Sequence, residues 1–150
     1  VLRDLARGAD LVCVGQDEAW GLRGAQAVRA ALPEPGVLVV EQGAAGATVF
    51  EQRDVTFVPA PRIDVGAAVG AFAAGFLSAT LRGLPVRDRL RHGHLLAAAA
   101  LTAPGDLAAP PAREHADRLA ALDDAAWGRL RLGPGWTDDT QRAPEEVRTP

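Results

Sequence analysis

The chain contains no lysine: all 16 of its cationic residues are arginine, against 19 acidic residues. The resulting formal charge of −3, with no arginine cluster, argues against a nucleic-acid partner, because phosphate binding needs a basic face. The single cysteine, Cys13, excludes an internal disulfide and fits a reducing compartment, so a cytoplasmic location is expected. No apolar export segment opens the sequence; residues 1–7 read as the end of an amphipathic helix. The longest uncharged run, residues 65–81, is short of a comfortable bilayer span and rich in Ala and Gly, so no membrane partner is expected. No internal repeat is visible. What remains is the composition of an ordinary globular protein, 48% apolar and 23% charged over 150 residues, enough for one domain with a real core.

Short apolar runs and helical spacing alternate along the chain. Residues 10–14 read as a buried strand, residues 17–20 have helical character, and residues 25–32 form a helix stopped by Pro33. Residues 37–40, Val-Leu-Val-Val, are the clearest strand, expected to be buried on both faces. Gly43-Ala44-Ala45-Gly46 breaks it, residues 47–51 resume an extended pattern, and Gln52-Arg53-Asp54 turns the chain into residues 55–58. Pro59 and Pro61 end the pairing, since proline removes a ladder donor. Helices are predicted over residues 67–82, 86–101 and 113–122, the first with Phe72, Phe76, Leu77 and Leu81 on one core-facing stripe. The order predicts an α/β domain with helices on a mostly parallel sheet. The folded domain is expected over residues 1–125, with a disordered tail over 126–150.

Several residues have plain structural readings. Glu18 can be a solvated carboxylate favoured by a helix N-terminus. Gly43 and Gly46 can serve a hairpin turn. Cys13 sits in a buried apolar run and acts as a small hydrophobe. His92 and His94, two apart on a helix, point to different faces and make a poor metal pair. Trp20, Trp127 and Trp136 are too scattered for a stacking platform.

One constellation points further. Val58-Pro59-Ala60-Pro61, then Asp64, then Ala71-Phe72-Ala73-Ala74-Gly75-Phe76 resembles the second signature of the PfkB (ribokinase-type) sugar kinases. There a strand end leads through Asp to Gly-Ala-Gly-Asp and a helix beginning Ala-Phe. Three other segments are similar to the family in order and spacing. Ala9-Asp10-Leu11-Val12 with Asp17-Glu18-Ala19 resembles the strand leading into its Asn-x-x-Glu motif. Residues 39–47 resemble its Val-Val-Lys-Leu-Gly-x-x-Gly strand and turn. Residues 99–106 resemble the loop beside its adenine pocket, with a Thr-x-Pro-Gly-Asp ending nearest to the 2-keto-3-deoxygluconate kinases.

The resemblance implies the C-terminal portion of a three-layer α/β/α ribokinase-like fold, and a kinase moving the γ-phosphate of ATP, with Mg, to a hydroxyl of a sugar or sugar acid. It implies a phosphate-binding loop over Gly66, Ala67, Ala68 and Val69, nucleotide contacts at Gly43, Gly46, Gly105 and Asp106, and metal-side carboxylates at Glu18 and Asp64. The pattern departs from the family where it matters most. Two loop glycines are Ala67 and Val69, the catalytic aspartate falls on Gly70, and the Asn of Asn-x-x-Glu is Gly15. A missing base costs about a hundred- to ten-thousand-fold in rate. The expectation is therefore an impaired kinase, with a non-catalytic pseudokinase-like module binding a nucleotide or partner, or a relic without function, as the alternatives. Nothing resembles the family's N-terminal half, which supplies most sugar contacts. A fragment is expected, completed by a separate N-terminal half or assembled with copies of itself.

Overall fold

The computed structural model describes residues 2–19, 21–63, 71–105 and 107–138. The expectations for Trp20, Asp64, Gly66, Ala67, Ala68, Val69, Gly70 and Asp106 lie outside the described residues. The chain divides into two compact units, Val1–Pro59 and Ala60–Pro150.

In the first unit, α1 (Leu2–Arg7) leads to β1 (Leu11–Gly15), and α2 (Ala25–Ala31) to β2 (Val37–Glu41). The β3 (Gly46–Glu51) and β4 (Asp54–Pro59) strands form a hairpin around the predicted turn. The sheet order is β1-β2-β3-β4. Only β1 and β2 run parallel, so the expected mostly parallel sheet is corrected: β2–β3 and β3–β4 are antiparallel. The reason is loop length, since turns of a few residues can join only antiparallel neighbours. The core gathers Ala19, Val28, Leu32, Leu38, Val40 and Phe50. Leu38 lies opposite Phe50, and Val40 opposite Thr48, so the period of two places one face of β2 in that core. Val39 points to the other face and is equally buried, as the unbroken apolar run predicts. By contrast β1 is an edge strand, half-buried throughout rather than buried.

The second unit is built on a helix pair, α3 (described over Ala71–Leu81) and α4 (Val86–Thr102), joined across Gly83. Their backbones meet closely because Gly75 and Gly93 face the contact. A Cβ on Gly75 would collide with the His92 carbonyl, and one on Gly93 would lie 2.7 Å from the Phe72 ring. Phe72 and Phe76 are buried there. Leu77 and Leu81 are not: they are 44% and 89% exposed, so the predicted core stripe stops at Phe76.

Beyond them come α5 (Arg113–Ala120), α6 (Asp124–Gly128) and β6 (Arg131–Leu132), which pairs in parallel with β5 (Arg62–Ile63). Pairing thus resumes after Pro61. The expectation of a tail beginning at 126 is corrected for residues 126–138. Trp127, Leu130, Leu132 and Trp136 are buried, and the Trp136 indole donates to Thr102 Oγ1 at 3.0 Å. Arg91 ties this end down: buried over the Trp127 ring, it donates to the carbonyls of Ala120 and Leu122 and to Asp124. These carbonyls close α5, where a cation is favourable. Among the described residues no helix is long and apolar enough to cross a membrane.

Candidate functional site

The residues that could carry chemistry in the first unit collect at the carboxyl ends of β1 and β2. The two strands are parallel and in register, Gly15 beside Glu41, so whatever follows each strand emerges side by side. In open α/β sheets this edge is where ligands bind. After β1 the chain makes a single 3-10 turn, Gln16–Glu18, anchored by the fully buried Ala19. Glu18 folds back over the strand end, with its carboxylate 3.3 Å from where a Cβ on Gly15 would stand. Glycine at this position leaves room for that approach.

After β2, Gln42 precedes a second 3-10 turn, Gly43–Ala45. Gly43 takes φ +59°, and Gly46 takes φ +141° with the Val58 carbonyl and the Phe57 ring so close that no Cβ fits. Both glycines therefore have a turn role in the fold. A polar chain spans the two turns: Thr48 Oγ1 donates to Gln42 Oε1 at 2.7 Å, and Gln42 Nε2 donates to Gln16 Oε1 at 3.5 Å. Sequence reading missed Gln16, Gln42 and Thr48. The available signal was that both glutamines directly follow strands, but it becomes visible only once the parallel register is known.

Glu18 and Glu41 act on each other electrostatically. Burial holds the Glu41 carboxyl above the ordinary carboxylate range, and the charge of Glu18 raises it further. Burial, then Glu41, pushes the Cys13 thiol up to about 11, so Cys13 is a neutral thiol and no nucleophile. A buried carboxylate beside a second acidic side chain suits a cation, and Mg is commonly held by one or two carboxylates together with phosphate oxygens. Among the described residues no group of three His, Cys, Asp or Glu side chains converges.

Of the other predicted positions, Gly105 belongs to the second unit and lies exposed after α4. His92 and His94 diverge, as their spacing implies: His92 Nε2 meets Asp117 at 3.2 Å, and His94 packs edge-on against Phe72 at 5.1 Å. Thr102, in the segment read as the loop beside the adenine pocket, donates to the Ala98 carbonyl and accepts from Trp136.

The pattern of the pfkB family carbohydrate kinases matches residues 1–113. Among solved structures, the fold is similar to a "probable sugar kinase" of Rhizobium etli CFN 42, with 24% identity over 81% of this chain, 40% of that one, and TM-score 0.69. It is also similar to aminoimidazole riboside kinase of Salmonella enterica, solved with aminoimidazole riboside and an ATP analogue, at 24% identity over 80% and 45% of the two chains, TM-score 0.66. A PfkB protein of Polaromonas sp. JS666 shares 31% identity over 66% of this chain and 34% of its own, TM-score 0.56. The chain thus spans less than half the length of these structures. The α/β fold is of the ribokinase-like class, and the family match over residues 1–113 shows that the chain belongs to the pfkB family of carbohydrate kinases.

Proposed function

We propose that the chain is the nucleotide-handling portion of an ATP-dependent sugar kinase whose own phosphoryl transfer is crippled. The observation that carries the reading is the pair of turns held side by side at the carboxyl ends of β1 and β2, with Glu18 set against Glu41. In this reading Glu18 and Glu41 hold Mg together with phosphate oxygens, and the metal neutralises charge on the phosphates. Gly43 and Gly46 let the backbone approach the nucleotide, and Gly105 and Asp106 border the adenine. The family resemblance assigns the segment Gly66, Ala67, Ala68 and Val69 to the transferring phosphate and Asp64 to the metal side. A sugar hydroxyl must give up its proton, and Gly70 has no group to take it. The first substrate to try is a keto-deoxy sugar acid, on the Thr102-Ala103-Pro104-Gly105-Asp106 segment; nucleosides follow, because structural neighbours include kinases solved with inosine and with aminoimidazole riboside.

A second reading, a pseudokinase-like module binding a nucleotide, a complementing N-terminal half or its own copy, is favoured by Gly70 and by the side chains of Ala67 and Val69 in the loop. The test is γ-phosphate transfer from ATP to a panel of sugars and nucleosides, each chain mixed with a separately expressed N-terminal half. Gly70→Asp is expected to raise the rate by about a hundredfold or more over the native chain. Ordinary kinase turnover by the native chain overturns the assignment of Gly70. Silence from both chains, with ATP still bound, favours the binding module.

A further inference from the structure

In the second unit, the C-terminal half of α3, the middle of α4 and the stretch leading from Pro110 into α5 frame a concave groove of about 650 Å³. That is the size of a small-molecule site. Its wall is apolar, made by Leu77, Leu81, Leu95, Leu96, Pro110 and Pro111. Here lie the two leucines that helical periodicity assigns to the core but that the fold leaves open to solvent.

Three polar side chains converge on this wall: Arg82, His92 and Arg113. Arg82 grips Asp117 through two hydrogen bonds of 2.9 Å, which hold the Asp117 carboxyl below the ordinary carboxylate range. Burial holds the His92 ring below the usual histidine value, so it is neutral at neutral pH, and its Nε2 lies 3.2 Å from Asp117. Asp117 therefore cancels one of the two guanidinium charges. Arg113 is exposed and makes no hydrogen bond or ion pair among the described residues; Asp117 feels its charge as well as that of Arg82, so one carboxylate faces two guanidiniums and the groove keeps a net positive charge.

We propose that this groove binds a small amphipathic anion, an unbranched or cyclic hydrocarbon carrying one carboxylate. The hydrocarbon lies against Leu77, Leu81 and Leu96, and the carboxylate meets Arg113. Apolar walls supply affinity without direction, and the Arg113 guanidinium, which makes no hydrogen bond among the described residues, orients the ligand. None of the residues involved belongs to the nucleotide site proposed above, so the two ideas stand or fall separately.

The test is calorimetric titration of the full chain, without nucleotide, using octanoate and its uncharged counterpart octanamide below their aggregation limits. Octanoate is expected to bind saturably, with octanamide about tenfold weaker, the loss of one charge-assisted contact. Arg113→Gln is expected to weaken octanoate by about the same factor and leave octanamide unchanged. Leu81→Glu, at a position already exposed, is expected to weaken both. No saturable octanoate binding, equal binding of the two probes, or indifference to Arg113→Gln would overturn the proposal.

Discussion

At the scale of single residues, the pair Glu18 and Glu41 shows how a fold makes a carboxylate unlike its solvated counterpart. Glu41 loses hydration at the end of β2 and meets the charge of Glu18 in the neighbouring turn. Its folded pKa is raised, so the fold prefers the protonated form. The stability contributed by that proton is full below the unfolded carboxylate value, and it is lost as pH rises through the higher folded value. Glu41→Gln carries no charge at any pH. The variant is expected to unfold at a higher urea concentration than the native chain near pH 7, with the difference closing below about pH 4. A difference that instead grows on acidification contradicts the burial of this carboxylate. The arrangement is hard to read in the sequence because Glu18 and Glu41 are far apart in it, and only the parallel register of β1 with β2 joins them.

At the scale of elements, close approach of α3 and α4 depends on two positions without side chains. A methyl on Gly75 meets a backbone carbonyl, His92 O, and the Leu96 side chain, and a carbonyl in mid-helix cannot step aside without moving the helix. Gly75→Ala is expected to cost about 1–3 kcal/mol in chemical denaturation. Gly128→Ala is the control: nothing lies within 4 Å of its added Cβ, and stability is expected to change little. Much of this level was legible beforehand. The strand over residues 37–40, the hairpin around Gln52-Arg53-Asp54 and the helix starting at Val86 were all predicted from local pattern, with ends within a residue or so. The outer half of the α3 stripe was not. Periodicity says that Leu77 and Leu81 share a face with Phe72 and Phe76, but whether a partner covers the whole face depends on where α4 and α5 lie.

At the scale of the whole molecule, the segment after α5 is an integral part of the second unit. Asp123 caps α6 by accepting from the Ala126 N–H at 2.7 Å, Arg91 closes α5, and Trp127 and Trp136 fill the interior. Removing one large buried aromatic typically costs about 3–5 kcal/mol, and whole-domain stability is about 5–15 kcal/mol. A chain ending at Ala125 loses both tryptophans and the β6 pairing. The full chain is expected to melt in one cooperative transition by circular dichroism, and the shortened chain to lose it. Retention of a sharp transition would mean that the first unit supplies it alone.

Family membership and the α/β class could be read from the sequence, because each of the four matching segments pairs a local turn or strand signal with a fixed order along the chain. That residue 70 is a glycine is likewise a fact of sequence alone, and its reading as the position of the catalytic aspartate belongs to the function proposed above. Tertiary structure decided the rest: the antiparallel completion of the sheet, the meeting of Glu18 with Glu41, the uncovered leucines of the groove, and the burial of residues that read as tail. The physical reason is range. Turn chemistry and helical or strand period act over a few neighbouring residues, whereas burial and electrostatic coupling depend on which distant surfaces meet. Residues 126–138 show the difference most directly, since Trp127, Leu130, Leu132 and Trp136 follow no single period and are buried only because α4, α5 and β5 offer them places.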